Sequence, residues 1–402
     1  MPRIALLVST LLALGCGAPL APPTPAGSQG PRYAAVIDAG SSGSRIHVYR
    51  WRPRAPLPWV EEGWRLRVEP GLSAFAGEAD AVAEHLTPLI EFALDRISGD
   101  GGVMGGGERP LLLLEATGGL RALEAPVRDD LLASARAYLE TTPFELTGVE
   151  VIDGRSEGLY GWITVNYLLG RLASGGPTAA ALDLGGVSTQ IAFEPSGASS
   201  ERTRLTLGGR EWSLYVKSYA GLGQDEAREA AASAACFPSG FPLEKGGVGI
   251  GDYPGCRRDV LRYLAPRLDP DQPALVGEIF AFSAFYYAAD FFGLEDTFSL
   301  AALEAAGVDY CARPWSELEV TYRDRLAWDP YVPRHCFTAA FVVALLHDGY
   351  GLTLESDQVQ AVSTLAGQDV GWTLGSLLFE LAAGDQASLS FSPTFVPSAG
   401  NG

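Results

Sequence analysis

Lysine is nearly missing from this chain of 402 residues, in which Lys217 and Lys245 are the only two. Neither stands in a G-x-x-x-x-G-K-[ST] loop, which excludes a phosphate site of the Walker type. Positive charge is scarce throughout: 29 Lys and Arg face 48 Asp and Glu, for a formal net charge of −19. Such a surface repels polyanions, so neither nucleic acid nor a polybasic membrane contact is expected among its partners. No C-x-x-C pair and no H-E-x-x-H string occurs, so neither common zinc spacing is available. Beyond the first fifteen residues no apolar run approaches the roughly 20 residues that a membrane-spanning helix needs.

What remains is a chain with 47% hydrophobic residues, enough to bury a large core and long enough for two domains. Arg3, the apolar run Ile4–Leu14 and the small residues around Cys16 have the order of a signal peptide. The string L-A-L-G-C at Leu12–Cys16 resembles a bacterial lipoprotein box, which would make Cys16 the lipidated residue and give the protein a lipid anchor to the membrane. Plain secretion is the alternative. The expected location is extracytoplasmic, either the periplasm or outer membrane as a lipoprotein or the secreted fraction. Residues 1–16 are read as the leader and 17–31, rich in Pro, Ala, Gly and Ser, as a flexible tether. The other cysteines form two local couples, Cys236 with Cys256 and Cys311 with Cys336. They read as two disulfides in an oxidising compartment, with four buried free thiols as the alternative.

Tyr33–Ile37 and Ile46–Trp51 are short β-rich runs on either side of the glycine-bearing turn Asp38–Ser44. Ala179–Leu182 and Thr189–Phe193 repeat that arrangement around Asp183–Ser188, which marks an internal duplication. Glycine admits positive φ, so each turn can aim several N–H donors into one concavity and bind an anion without lysine. Asp38 and Asp183, each at a strand end, would hold a hydrated divalent cation between the turns, since a hard cation prefers carboxylate and water oxygens. Between the hairpins, Ala81–Ile97, Asp129–Leu139 and Leu159–Leu172 have helical spacing, while Leu111–Leu114 and Val149–Asp153 read as strands. Val276–Phe292, Thr338–His347 and Val370–Leu381 are expected to be helices, and Phe391–Gly402 a loose tail.

Five motifs in fixed order carry a family resemblance: D-A-G-S-S-G-S-R (Asp38–Arg45), A-T-G-G-L-R (Ala116–Arg121), S-E-G-L-Y-G-W-I-T-V-N-Y (Ser156–Tyr167), L-D-L-G-G-V-S-T-Q-I (Leu182–Ile191) and F-A-F-S-A-F-Y-Y (Phe280–Tyr287). Over nearly all of residues 32–381 the chain resembles the apyrases, or nucleoside triphosphate diphosphohydrolases. The resemblance implies an α/β fold of two actin-like domains of RNase H type, with the active site in the cleft between them. Residues 32–158 with 365–402 would form the first domain and 159–364 the second. It also implies removal of terminal phosphate from nucleoside tri- or diphosphates with Ca²⁺ or Mg²⁺.

Carried over by motif, Glu157 is the general base, Ser188 and Gln190 orient the attacking water, and Thr117 lies in the loop closing the site. Ser41, Ser42 and Gly43 match the first phosphate loop, and Gly185, Gly186, Val187 and Ser188 the second. Gly43 stands where cell-surface members often carry histidine. Tyr286 or Tyr287 would stack the nucleobase, and His335 occupies the position of a second aromatic just before Cys336. A carboxylate at a helix start can equally be a plain helix-dipole partner, and the flanking motif decides for the base. The rival functions are an exopolyphosphatase-like enzyme on the same fold and a non-catalytic nucleotide-binding lipoprotein.

Overall fold

The computed structural model describes residues 30–102, 109–197, 201–295 and 298–382, together with the backbone of 388–391. The leader with Cys16, most of the tether and nearly all of the tail lie outside the described residues. The chain divides after Pro31 into two units, and all that follows concerns the unit from Arg32 onward.

Two sheets organise this unit. The first contains β1 (Arg32–Ala39), β2 (Ser44–Arg52), β3 (Trp59–Val68), β4 (Leu111–Ala116) and β5 (Glu145–Val151), in the order β3-β2-β1-β4-β5. β1 runs antiparallel to β2 and parallel to β4. Between these strands lie the helices α1 (Val82–Gly99), α2 (Gly118–Arg121) and α3 (Ala125–Leu139). α4 (Gly154–Leu168) and the single turn α5 (Arg171–Ser174) lead to the second sheet, which begins with β6 (Ala180–Leu184), β7 (Ser188–Phe193), β8 (Thr203–Leu207) and β9 (Arg210–Ala220). α6 (Gln224–Ala231) and α7 (Tyr253–Leu264) precede β10 (Ile279–Ser283). α8 (Ala284–Phe291), α9 (Leu300–Ala312), α10 (Trp315–Thr321), α11 (Arg323–Leu326) and α12 (His335–Val343) separate β10 from β11 (Val359–Ala361), and α13 (Trp372–Ala382) ends the helices. Within the second sheet β9-β7-β6-β10-β11 repeats the first sheet's order, with β8 and the strand Ser388–Phe391 added at one edge. The duplication seen in the two hairpins thus extends to five strands of each sheet.

Alternation along the strands sorts the core into layers. Ala35, Ile37 and Leu114 face α1 and α3 on the outer side of the first sheet. Ile191, Ala281 and Tyr215 face α7, α9 and α12 on the outer side of the second. Between the sheets α4 and α13 pack with Val36, Ala181 and Phe282. Trp162 of α4 is fully buried there, its ring edge-on to Trp212 at 5.5 Å. Burial of such a side chain contributes about 2–3 kcal/mol. α4 and α13 approach backbone to backbone: a β-carbon at Gly375 would overlap Tyr160, and the Gly375 N–H donates to Thr164 Oγ1 at 2.8 Å.

The aromatic run departs from the expected helix over Val276–Phe292. Its first part is β10, held in parallel register between β6 and β11, and only then does α8 begin. A strand buried on both faces and a buried helix show the same unbroken apolar run, so periodicity does not separate them. α4 likewise starts five residues earlier than its apolar spacing implies. Asp153 caps it by accepting from the Ser156 N–H at 2.7 Å, which draws Glu157 into the first turn. Cys236 is joined to Cys256, tying the turn Ala234–Cys236 to α7, and Cys311 to Cys336, tying α9 to α12.

Candidate active site

The duplicated hairpins put Asp38 opposite Arg45 and Asp183 opposite Gln190, one pair at the end of each sheet. The two turns meet. A β-carbon on Gly186 would stand 3.3 Å from Ser41 Oγ, and one on Gly118 would stand 3.1 Å from Val187 Cβ. Ser41 and the Gly185–Val187 turn therefore face each other, with Thr117, 6% exposed, beside them at the start of α2.

In the second turn the carbonyls are taken up by the chain that leads into α6. Gly185 O accepts from Gln224 N at 2.8 Å and Gly186 O from Asp225 N at 2.9 Å. Val187 O accepts from the N–H groups of Gly221 and Gly223 at 3.0 and 3.1 Å. With those carbonyls satisfied by the start of α6, the Gly186 and Val187 N–H groups find no protein acceptor among the described residues. The same holds for the N–H groups of Gly40–Gly43. The glycines serve this by closeness and not by positive φ, which none of Gly40, Gly43, Gly185 and Gly186 adopts. A β-carbon on Gly43 would lie 2.9 Å from Val68 O, and one on Gly185 3.2 Å from Ser188 O. Ser42 is exposed at the tip, where Arg67 Nη2 donates to its hydroxyl at 3.3 Å.

Glu157 sits between the turns, 8% exposed. Arg121 Nη2 donates to its Oε2 at 2.8 Å and to Ser188 Oγ at 3.1 Å. Gln190 Nε2 reaches the same Oε2 at 3.3 Å, Ser188 Oγ at 2.8 Å and Ser218 Oγ at 3.2 Å. Both bonds to the carboxylate fall on Oε2, so Oε1 carries neither. Burial raises the Glu157 carboxyl to about 8; the Arg121 cation opposes the shift, while the Asp183 and Asp38 charges add to it. Burial and the Asp38 charge lift Asp183 to about 6, against a hydrogen bond from Ser283. Asp38 is also raised by burial, against Arg45 at 3.3 Å. Arg121 and Ser218 were not singled out from the sequence; Arg121 closes the motif A-T-G-G-L-R, but nothing local ties it to a carboxylate 36 residues away.

The donor set fits a divalent cation held through water. Asp38 Oδ1 and Gln190 Oε1 are buried oxygens without a hydrogen-bond partner, and water ligands would supply the missing donors. Among the described residues no three His, Cys, Asp or Glu side chains stand close enough to chelate an ion directly.

Gly154–Gly158 (G-R-S-E-G) also has the G-x-S-x-G form of a serine-nucleophile turn. Ser156 has no histidine to activate it. Of the four histidines, His47 bonds Glu62, His85 bonds Ser44, His347 bonds Leu352 O, and His335 is stacked on Phe291. The last also removes His335 from the expected base contact. It is 4% exposed, with its ring against Phe291 at 3.4 Å and edge-on to Phe292 and Tyr310, so no face is open to a ligand. Of the two tyrosines, Tyr287 is 64% exposed on α8 and Tyr286 is half-buried behind it. α8 itself starts beside Asp183, because Ser283 at the end of β10 pairs with Leu184 and turns the chain through a φ of 59°. Strain of that kind at a non-glycine residue is characteristic of functional sites.

Comparison with known proteins gives the same outline. Residues 26–236 and 263–390 match the GDA1/CD39 (nucleoside phosphatase) family. The chain is 30% identical to probable apyrase 4 of Arabidopsis thaliana, over 87% of its own length and 79% of that protein's. It is 28% identical to ectonucleoside triphosphate diphosphohydrolase 1 of Rattus norvegicus, over 86% and 80%. Among solved structures, the nucleoside triphosphate hydrolases of Neospora caninum superpose with a TM-score of 0.67 at 17% identity, covering 87% of this chain and 92% of theirs. A Ppx/GppA family member of Aquifex aeolicus gives 0.55 at 16%, covering 88% and 98%. At those identities the structural likeness speaks for the fold alone, which is the actin-like α/β fold.

Proposed function

Because the chain belongs to the GDA1/CD39 nucleoside phosphatase family, we propose that it removes the terminal phosphate of nucleoside tri- and diphosphates by direct, in-line attack of water. The observation that carries this reading is the meeting of two glycine turns, whose N–H groups have no protein acceptor among the described residues, beside a buried glutamate. The N–H groups of Gly40–Gly43 and of Gly186 and Val187 would receive the phosphate oxygens, and Ser41 and Ser42 would add hydroxyl donors. Ser188 and Gln190, bonded to each other, would hold the attacking water against Glu157. Glu157 takes the proton from that water as its oxygen joins phosphorus, and the bond to the bridging oxygen breaks, so no covalent phosphoenzyme forms. Arg121 keeps the carboxylate aimed and partly ionised.

Asp38 and Asp183 would hold Ca²⁺ or Mg²⁺ through water. When bound, the ion supplies neutralising charge to the phosphate chain. Residues 32–158 with 365–382 and residues 159–364 would form the halves that carry the two phosphate turns, while the strand Ser388–Phe391, expected in the first half, pairs instead with β8 at the edge of the second sheet. An extracytoplasmic place, with or without a lipid on Cys16, belongs to the same reading, and no helix among the described residues is long and apolar enough to cross a membrane. A polyphosphate substrate is disfavoured by the net charge of −19.

Phosphate release should be measured with ATP, ADP, GTP, UDP, pyrophosphate and polyphosphate, each with Ca²⁺ or Mg²⁺. Release from nucleotides that stops on chelation is expected. Release from polyphosphate alone would replace this reading with an exopolyphosphatase.

A further inference from the structure

Glu115 of β4 is 3% exposed, far from the water that a carboxylate needs. It lies two residues beyond Leu113, on the face of the first sheet that α4 and α13 cover. The parallel register of β1 and β4 sets Glu115 beside Asp38, on strands about 4.8 Å apart. Ser376 Oγ of α13 donates to Glu115 Oε2 at 2.6 Å. Burial lifts the Glu115 carboxyl to about 7 against that bond, and the charges of Glu150, Glu380 and Asp38 add to the lift. An apolar side chain would avoid this cost, so a buried acceptor here calls for a cause.

The cause lies in what α13 holds. Toward the first sheet, Thr373 Oγ1 shares a hydrogen bond of 2.8 Å with Tyr49 OH of β2, and Ser376 bonds Glu115. Toward α4, the Gly375 N–H donates to Thr164 Oγ1, and the two backbones touch at Tyr160. Thr164, Thr373 and Ser376 are all buried, so these bonds work away from competing water. Thr164 stands about two helical turns behind Glu157 on α4. Glu115 stands beside the strand end that leads into the first phosphate turn. The path from Glu115 through Ser376 and Gly375 to Thr164 therefore joins the first turn to the helix that carries the base.

We propose that Glu115, through its bond to Ser376, is a positioning residue that fixes Glu157 at its working distance from the first phosphate turn. This rests on the hydrolase reading above. Apolar contact lets a helix slide on a sheet, whereas a buried hydrogen bond has one length and one direction. A shift of about 1 Å between reacting groups can cost up to about 10²-fold in rate, so a bond at the far side of α13 can act on the chemistry without touching substrate.

The test is kcat for a nucleotide that the wild type hydrolyses, set against equilibrium Kd for the same nucleotide in a Glu157→Gln background. Glu115→Ala and Ser376→Ala should each lower kcat about tenfold. Kd should stay within about twofold, because the two turns meet each other directly. The double variant should lose no more than either single one, and Glu115→Gln, which can still accept from Ser376, should recover most of the rate. Ser376→Ala removes a single oxygen and keeps the test readable if Glu115→Ala does not fold. A normal kcat in Ser376→Ala, a Glu115→Gln as slow as Glu115→Ala, or an equal loss in Kd would overturn the assignment. Amide hydrogen exchange is read separately: in Ser376→Ala it should quicken over α13 and the facing part of α4 and not in α1, on the outer side of the first sheet. If the wild type releases no phosphate while that pattern holds, the hydrolase reading fails and the link between α13 and the first sheet stands; if the pattern is missing, the link itself is overturned.

Discussion

As the proposed base, Glu157 has its working range set by burial. A base must be ionised to take a proton, and this carboxyl is held near 8, so kcat/KM should climb with pH and level off above that value. Arg121 is the group that pulls the value down, hence Arg121→Gln should move the climb to higher pH as well as lower the plateau. A pH–rate profile checks both; a limb near the ordinary glutamate range, or one that moves down in the variant, contradicts the assignment. At this scale the motifs named Glu157, Ser188 and Gln190, and the structure brings the three side chains together, because residue types in a fixed order stand for a local geometry. Arg121 and Ser218 were harder to see, since their meaning lies in partners distant along the chain. His335 misled for the same reason, its ring being claimed by Phe291 from another helix.

Elements hold the turns in shape by close backbone contact. Gly223 precedes α6, and a β-carbon there would overlap the backbone of Gly186 and Val187. Gly223→Ala should therefore displace the second turn and lower kcat/KM for every substrate by about tenfold or more, as for loss of preorganised phosphate donors. Gly99→Ala is the control: a β-carbon there meets nothing within 4 Å, so activity should be unchanged. Equal activity of the two variants would mean that α6 does not shape the turn. The hairpins were legible as strand, turn and strand. The turn glycines were expected to adopt positive φ and do not, because sequence reports the absence of a side chain without saying whether backbone angle or a neighbour demands it. The split of the aromatic run into β10 and α8 was hidden because full burial erases the periodicity that separates strand from helix.

The unit from Arg32 onward is built on a duplicated sheet whose two copies each deliver one glycine turn, with α4 and α13 packed between them. Both disulfides among the described residues lie over the second sheet. Cys236–Cys256 and Cys311–Cys336 close 20 and 25 residues around the helices that cover the second sheet. Each should contribute about 3 kcal/mol through the unfolded chain. Reduction should lower the thermal midpoint clearly, and a midpoint unmoved by reductant would mean that the cross-links carry no stability. The repeat was visible in the hairpins, whereas β3 and β9 were not, because their strands carry mixed polar sequences with no turn motif. The central claim is that the turns bind the phosphate chain and Glu157 supplies the chemistry. The direct measurement sets phosphate release against nucleotide binding in the wild type and in Glu157→Gln. Release from ATP or ADP should fall by about 10² or more while the Kd for nucleotide stays within a few-fold. Near-normal release from the variant would contradict the account.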